Sequence, residues 1–151
     1  MLISVIIPTY NRPDALKLIL SAFDMQSDRE FEVIVADDGS KDDTKKVVQQ
    51  KMLDCSFPIT YAYQNDEGFR APKVRNLGVS KAKGEYLIFL DGDCVPRPSF
   101  IACHRRLAQK NFLVAGNRIL LKEDFTKFVL DKQEPIYTYS FFKWVSVYLK
   151  H

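Results

Sequence analysis

Short apolar runs alternate with amphipathic stretches along the chain as far as about Lys122. Runs rich in Val, Ile and aromatic residues predict five short strands, at 2–7, 31–36, 59–63, 86–90 and 113–115. Between them, apolar residues recur at helical spacing and predict helices that begin near Asn11, Ser40, Val74 and Pro98. Strands that alternate with helices are typical of βαβ units, so we expect an α/β domain with a mostly parallel sheet flanked by helices.

Two of these helices carry recognisable start signals. Asn11 is a favourable N-cap residue, and Pro13 suits the first helical turn. Ser40 and Asp43 together resemble the capping box of the next helix. The buried stripes are expected to be Leu16, Ile19, Leu20 and Phe23 in the first helix, and Val47, Val48 and Met52 in the second.

Composition and charge narrow the class of protein. With 46% hydrophobic and 27% charged residues the chain has globular values, which exclude the disordered and fibrous classes. A net charge of +3 arises from 22 basic and 19 acidic residues that are scattered together. This balance argues against nucleic-acid binding and suits a small anionic ligand.

Cysteine usage and the apolar segments predict a cytoplasmic location. Cys55, Cys94 and Cys103 are odd in number and lack CxxC spacing, which indicates neither a disulfide framework nor a zinc site. The N-terminus leads directly into a strand, so we expect no signal peptide. The aromatic segment 136–149 is interrupted by polar residues and is shorter than the roughly 20 apolar residues of a spanning helix.

Two interpretations of the 136–149 segment stay open. Its aromatic side chains are too apolar for open solvent, so packing on the sheet or on further chain is the favoured interpretation. Peripheral association with the inner face of the membrane, or self-association, is the alternative, because exposed aromatic patches bind other apolar surfaces.

Polar clusters follow four of the predicted strands. Thr9, Tyr10 and Asn11 follow the first strand, Asp37 and Asp38 the second. The clusters after the third and fourth strands are residues 65–75 and the pair Asp91 and Asp93. In open α/β sheets ligands bind beyond the carboxyl ends of the strands, so we expect these four loops to converge on one site.

The carboxylates in these loops suit a cation or a nucleotide. Asp91-Gly92-Asp93 by itself is as typical of a turn as of a ligand site, but at a strand end two carboxylates repel each other unless a cation lies between them. Hard oxygen ligands favour Mg²⁺ or Mn²⁺. Asp38 has a turn interpretation too, yet a carboxylate on a rigid strand end can accept a hydrogen bond from a nucleobase or a ribose.

In this order the motifs resemble those of the family 2 glycosyltransferases with the GT-A fold. They are Pro8-Thr9-Tyr10-Asn11-Arg12, Asp37-Asp38-Gly39-Ser40, Arg75-Asn76-Leu77-Gly78 and Asp91-Gly92-Asp93. The stretch from 66 to 76 is most similar to bacterial chondroitin-polymerase-type and related polysaccharide or lipopolysaccharide transferases. The resemblance implies a Rossmann-like, nucleotide-sugar-binding GT-A domain at 1–122, with 123–151 as an aromatic-rich segment of the same domain and the C-terminal acceptor half missing.

The resemblance also implies roles for individual residues. The expected donor-binding residues are Pro8, Thr9 and Tyr10 around the uridine, Asp38 at the base, Arg75 and Asn76 beside the nucleotide, and Arg70 and Lys73 at the diphosphate. For Arg70 and Lys73 a solvated surface position is the competing interpretation. Asp93 is expected to bind Mn²⁺ or Mg²⁺, while Asp91 assists the metal or holds the ribose.

The implied activity is an inverting, metal-dependent transfer of a sugar from a nucleotide donor, UDP-linked, to a glycan or glycolipid acceptor. In the subgroup that the chain resembles, the base is an acidic residue in a glycine-rich segment with Trp, Glu and Asp downstream of the fifth strand, and these 151 residues contain no such motif. The later acids have no matching context and are expected to be solvated: Glu123, Asp124, Asp131 and Glu134. The base is therefore not identified, and a nucleotide-sugar-binding module without catalysis is the alternative. A Rossmann oxidoreductase is disfavoured, because no G-x-G-x-x-G follows the first strand.

Overall fold

A four-stranded parallel sheet lies at the centre of the computed structural model, which describes residues 1–150. The strands are β1 (Ile3–Thr9), β2 (Phe31–Asp37), β3 (Ile59–Tyr63) and β4 (Tyr86–Phe89). Their order is β3-β2-β1-β4, and every neighbouring pair is parallel. The chain thus winds outward from β1 to β3 and then crosses back to β4. This reversal creates a switch point between β1 and β4, where open α/β sheets bind ligands.

Helices cover both faces of the sheet. They are α1 (Pro13–Asp24), α2 (Asp42–Asp54), α3 (Ala71–Lys81), α4 (Phe100–Leu107), α5 (Glu123–Lys132) and α6 (Phe141–Lys150), with a 3₁₀ turn at Ile136–Thr138. The expected α/β architecture with a mostly parallel sheet is confirmed. The expected C-terminal segment 123–151 is described as far as residue 150.

Alternate residues of β1 enter two different cores, because side chains of a strand point to opposite faces. On one face Val5 packs in the large core that includes the predicted α1 stripe, with Leu16 and Phe23 fully buried. On the other face Ile6 packs against Val74 of α3. Burial on both faces explains why β1 and β2 read as continuous apolar runs.

Three local predictions are wrong. Residues 113–115 form no strand, and the Leu113 side chain is 94% exposed, so the apolar run has neither a pairing partner nor a core to enter. In α2 Val48 is buried, but Val47 is only half-buried and Met52 is exposed. Thr44, one turn before Val48, takes the remaining buried position of that helix. Neither Asn11 nor Ser40 caps a helix, because both side chains bind another loop.

The C-terminal elements pack on a helix rather than on the sheet. Phe125 and Val129 of α5 join Ile136 and Tyr139 around Leu18 of α1. Helix α6 contacts this cluster and leaves its other apolar side chains exposed, namely Phe141, Phe142, Val145, Tyr148 and Leu149. Across residues 1–150, no helix has both the length and the apolar character needed to cross a bilayer.

Candidate functional site

The loops after β1 and β2 are tied together by a reciprocal pair of hydrogen bonds. The Asn11 amide donates to Ser40 Oγ at 2.8 Å, and the Lys41 amide donates to Asn11 Oδ1 at 2.9 Å. Asn11 adopts a left-handed backbone with φ of 50°, which Asn tolerates better than most residues. Both residues resemble capping residues because their short polar side chains bind backbone amides, but the amides belong to a neighbouring loop.

The end of β2 anchors two carboxylates in buried positions. Asp37 accepts hydrogen bonds from the Tyr61 hydroxyl at 2.6 Å and from the Ser40 amide at 2.7 Å. Burial, and then the hydrogen bond to Asp37, raise the pKa of Tyr61, so this phenol stays protonated and keeps donating. Asp37 is therefore a structural residue that fixes the turn leading to its neighbour Asp38.

Asp38 joins the end of β2 to the loop after β3. One carboxylate oxygen accepts from Gln64 Nε2 at 2.5 Å, and the other accepts from the Arg70 amide at 2.8 Å. The Asp38 amide donates to the Thr9 carbonyl at 3.0 Å, which places it beside the end of β1. The side chain is buried, and both oxygens already have protein partners. The expected contact of Asp38 with a base stays a prediction.

The 64–70 loop lies directly on Gly39. Gly39 has φ of 92°, and a Cβ at this position would lie 2.4 Å from the Asp66 backbone. The Asp66 carboxylate in turn accepts a hydrogen bond from the Tyr10 hydroxyl at 3.0 Å. That hydrogen bond raises the pKa of Tyr10. Glycine at 39 thus permits the close approach of two loops that both border the end of β1.

Arg70 folds back onto its own loop. Its guanidinium contacts the Glu67 carboxylate and the Asn65 carbonyl. The Arg70 Nε atom is buried and finds no hydrogen-bond partner among residues 1–150. The side chain is therefore not a freely solvated cation, and its expected diphosphate contact is untested. Lys73 and Asn76 lie exposed on α3.

The Asp91-Gly92-Asp93 turn packs against the end of β1. A Cβ on Gly92 would lie 2.4 Å from the Pro8 carbonyl oxygen, so only glycine fits this contact. A cavity of about 250 Å³ forms where the two segments meet, lined by Pro8, Thr9, Tyr10, Arg12, Asp91, Gly92 and Asp93. The Thr9 hydroxyl is buried and has no hydrogen-bond partner within the described part of the chain. Five of the predicted site residues therefore share one cavity at the switch point.

The two carboxylates of this turn differ in their partners. Asp91 lies between two guanidinium groups, with Arg75 Nη2 at 3.0 Å from Oδ1 and Arg118 Nη1 at 3.6 Å from Oδ2. Asp93 accepts a weak hydrogen bond from Cys94 Sγ at 3.4 Å. Of these two carboxylates, Asp93 forms no ion pair within the described part of the chain, and its expected role at a cation stays a prediction.

The donor set of this turn fits a hard divalent cation. One ligand atom from each of Asp91, Asp93 and Cys94 lies within 4.8 Å of the others. Burial, and then the hydrogen bond to Asp93, raise the pKa of the Cys94 thiol, which favours its protonated form. A thiol is a poor ligand compared with a thiolate. The two carboxylates, as oxygen ligands, therefore suit Mg²⁺ or Mn²⁺ better than a thiophilic metal.

A larger groove of about 1320 Å³ opens beside this cavity and shares Asp91 and Asp93 with it. The groove runs along β4 and is bordered mainly by apolar side chains, among them Leu87, Phe89, Phe112, Leu120 and Trp144. Its position next to the carboxylate pair leaves room for a second molecule near whatever binds at Asp93.

Two residues that shape this site, Gln64 and Arg118, were not predicted from the sequence. Gln64 lies next to the predicted 65–75 cluster, and the fold of its loop brings it to Asp38. Asp66, within that cluster, reaches Tyr10. Arg118 lies in a stretch without regular structure, and its contact with Asp91 has no local signature.

Comparisons with known proteins match most of the chain. A family model described as "Glycosyl transferase family 2" matches residues 4–148. Chondroitin synthase of Escherichia coli is 37% identical over 106 residues, which are 70% of this chain and 15% of that protein. Hyaluronan synthase of Pasteurella multocida is 36% identical over 100 residues, which are 66% of this chain and 10% of that protein. The chain therefore spans a small part of the length of these relatives.

Two solved structures share the fold. One is TarS 1–349 of S. aureus in complex with UDP-GlcNAc, with a TM-score of 0.59 and 30% identity over 70% of this chain and 30% of that chain. The other is the mannosyltransferase PcManGT of Pyrobaculum calidifontis in complex with GDP-Man and Mn²⁺. Its TM-score is 0.65, with 26% identity over 72% of this chain and 32% of that chain.

Proposed function

The chain belongs to glycosyl transferase family 2, and from this premise we propose that it binds a UDP-sugar and supplies the donor side of an inverting, metal-dependent sugar transfer. Its fold is the GT-A fold of the structures it matches, and the resemblance to chondroitin-polymerase-type transferases is confirmed by the relatives. The neighbours support a nucleotide-sugar donor, since TarS 1–349 is solved in complex with UDP-GlcNAc and PcManGT with GDP-Man.

The observation that carries the proposal is the convergence of Thr9, Tyr10, Asp91 and Asp93 on one cavity at the switch point of the sheet. The unpartnered Thr9 hydroxyl supplies a hydrogen-bonding group that a polar ligand can satisfy. The Tyr10 ring is half-exposed at the cavity and offers an apolar face to a nucleobase. The carboxylates lie at the other side of the same cavity.

We propose that Asp93 holds Mn²⁺ or Mg²⁺ with assistance from Asp91. PcManGT, which shares the fold, is solved with Mn²⁺. A divalent cation held there would neutralise the negative charge that develops on the departing diphosphate. Arg75 lies 3.0 Å from Asp91, so its guanidinium is near enough to contribute positive charge to the same group. These residues stabilise the leaving group and leave the acceptor to be activated elsewhere.

The base of the reaction is not among the residues we can assign. Glu134 accepts hydrogen bonds from the Tyr139 hydroxyl at 2.6 Å and from Lys143 Nζ at 3.4 Å. The hydrogen bond from Tyr139 is the main cause that lowers the pKa of Glu134, which makes it a weaker base. Glu123, Asp124 and Asp131 are exposed, as expected for solvated acids.

A nucleotide-sugar-binding module is the second candidate function, and the lack of an assignable base among the described residues favours it. The two candidates are separated by one pair of measurements on the purified chain. Calorimetry with UDP and Mn²⁺ measures donor binding, and release of UDP from UDP-GlcNAc with and without acceptor measures hydrolysis and transfer. We expect binding with little or no transfer, because general-base assistance contributes roughly 10²–10⁴-fold. Rapid transfer would show that a base lies within the chain.

The acceptor and the location of the protein belong to the same proposal. We propose a glycan or glycolipid acceptor in the groove beside Asp93, at the cytoplasmic face of the membrane. The exposed apolar side of α6 supports peripheral membrane contact or self-association. Sedimentation over a range of protein concentrations, with and without phospholipid vesicles, distinguishes these two uses. A chain that stays monomeric and does not sediment with vesicles would contradict both membrane contact and self-association.

A further inference from the structure

Arg118 connects an irregular segment of the chain to the carboxylate pair. Residues 108–122 contain no helix or strand, and several of their apolar side chains are largely exposed: Phe112, Leu113, Ile119 and Leu120. Over the described residues, the ion pair of Arg118 with Asp91 is the one ion pair that this segment forms. Arg118 also lines the larger groove together with Asp93 and Cys94. The guanidinium therefore lies across the turn that carries the proposed cation site.

The contact that holds Arg118 is weak. Its Nη1 atom is 3.6 Å from Asp91 Oδ2, and the side chains of Arg118 and Asp91 are 61% and 52% exposed. Ion pairs this exposed to solvent contribute little to stability. Asp91 keeps a second, shorter partner in Arg75 at 3.0 Å. If Arg118 moves away, Asp91 therefore still has an ion-pair partner in Arg75.

The local charge favours an anion at this position. Arg75 and Arg118 balance Asp91 and Asp93, so a divalent cation on Asp93 would leave the turn with an excess of positive charge. A diphosphate supplies the matching negative charge. Arg binds phosphate oxygens through planar, charge-assisted hydrogen bonds, whereas its pair with Asp91 is long and exposed.

We infer that Arg118 is a donor-binding residue, which exchanges Asp91 for an oxygen of the diphosphate and draws residues 108–122 over the site. This inference rests on the proposed function, because it requires a nucleoside diphosphate beside Asp93. On this inference, residues 108–122 are exposed in the free chain and pack over the site when the diphosphate binds. The two arginines then behave differently on ligand binding: Arg75 keeps its place on α3, whereas Arg118 moves with residues 108–122.

Calorimetry with UDP and with uridine, both in Mn²⁺, tests the role of Arg118. The proteins are the unsubstituted chain, Arg118→Ala, Arg118→Lys and the control Lys110→Ala, which removes an exposed charge from the same segment. We expect Arg118→Ala to weaken UDP binding about tenfold, as for loss of a charged hydrogen bond. The affinity of Arg118→Ala for uridine should equal that of the unsubstituted chain. Arg118→Lys should lose less UDP affinity than Arg118→Ala, and Lys110→Ala should lose none.

Hydrogen exchange supplies a second readout. UDP should slow amide exchange at 108–122 in the unsubstituted chain and fail to do so in Arg118→Ala. If UDP binds the unsubstituted chain and Arg118→Ala equally, the inference is wrong and the proposed function stands. Equal losses for UDP and uridine would also overturn it, since Arg118 would then support the cavity rather than the diphosphate. If the unsubstituted chain does not bind UDP, the proposed function fails together with the inference.

Discussion

The Tyr10 hydroxyl donates a 3.0 Å hydrogen bond to the Asp66 carboxylate and so joins the loop after β1 to the loop after β3. Tyr10 lines the cavity beside the carboxylate pair, whereas Asp66 lies on Gly39 at the opposite loop. The orientation of the Tyr10 ring therefore depends on a residue that does not itself line this cavity.

Tyr10→Phe removes this bond while keeping the ring. We expect UDP affinity in Mn²⁺ to fall about two- to tenfold, which corresponds to the roughly 0.5–1.5 kcal/mol of a typical hydrogen bond. Asp66→Ala should give a similar loss, and the double variant should lose little more than either single variant. Tyr148→Phe, which removes a hydroxyl from an exposed tyrosine of α6, is the control. Additive losses in the calorimetric titrations would show that the two residues act independently.

Gly39→Ala and Gly68→Ala form a matched pair that tests how the 64–70 loop is seated. Both glycines have positive φ, of 92° and 85°, but a Cβ meets the Asp66 backbone at 39 and open space at 68. We expect Gly68→Ala to cost about 1–2 kcal/mol of unfolding free energy through backbone strain alone. Gly39→Ala should cost about 1–3 kcal/mol more because of the overlap. Urea unfolding measures both, and equal losses would mean that the loop does not rest on Gly39.

Asp38→Ala should reduce both stability and donor binding. The substitution leaves Gln64 Nε2 and the Arg70 amide without their acceptor, which costs about 1–3 kcal/mol of unfolding free energy for buried groups. UDP affinity should fall as well, since the loop after β3 loses its anchor. Asp38→Asn keeps an acceptor and should lose less stability. Asp131→Ala, at an exposed position of α5, is the control. Full stability of Asp38→Ala in thermal unfolding would show that the carboxylate serves the ligand alone.

Removal of divalent cations should weaken UDP binding at least about tenfold, equivalent to about 1.4 kcal/mol. Without a cation, Arg75 and Arg118 only neutralise Asp91 and Asp93, so no net positive charge remains to attract the diphosphate. Asp93→Asn should bind UDP weakly in Mn²⁺, and adding EDTA should change its UDP affinity little. Glu123→Gln removes an exposed acid from the start of α5 and should behave like the unsubstituted chain. Equal UDP affinity in Mn²⁺ and in EDTA would refute the cation site.

The strands of the sheet were predictable because each is a short run rich in Val, Ile, Leu or aromatic residues. Ile59–Tyr63 was predicted with its observed bounds, and the other three strands differ from prediction by at most two residues at an end. Residues 113–115 have the same apolar character but no neighbouring strand to pair with. A local apolar run indicates that a segment can enter a sheet, and the partner strand decides whether it does.

The site was predictable only where it follows strand ends. Topology brings Thr9, Tyr10, Asp91 and Asp93 together, and this convergence was expected from the positions of their strands. The roles of Asn11 and Ser40 were wrong because a capping side chain binds whichever backbone amide the tertiary fold presents. Arg118 reaches Asp91 from an irregular segment, and such a long-range contact leaves no periodic pattern in the sequence.

The contact between Gly92 and the Pro8 carbonyl affects how the carboxylate pair would bind the proposed cation. Backbone packing holds the turn against the end of a central strand, in addition to the hydrogen bond from Arg75 to Asp91. The conformational entropy of that turn is therefore lost when the chain folds, before any ion arrives. Such preorganisation lowers the entropic cost of binding and raises affinity without adding a ligand. A larger side chain at position 92 would weaken cation binding while leaving every oxygen donor in place.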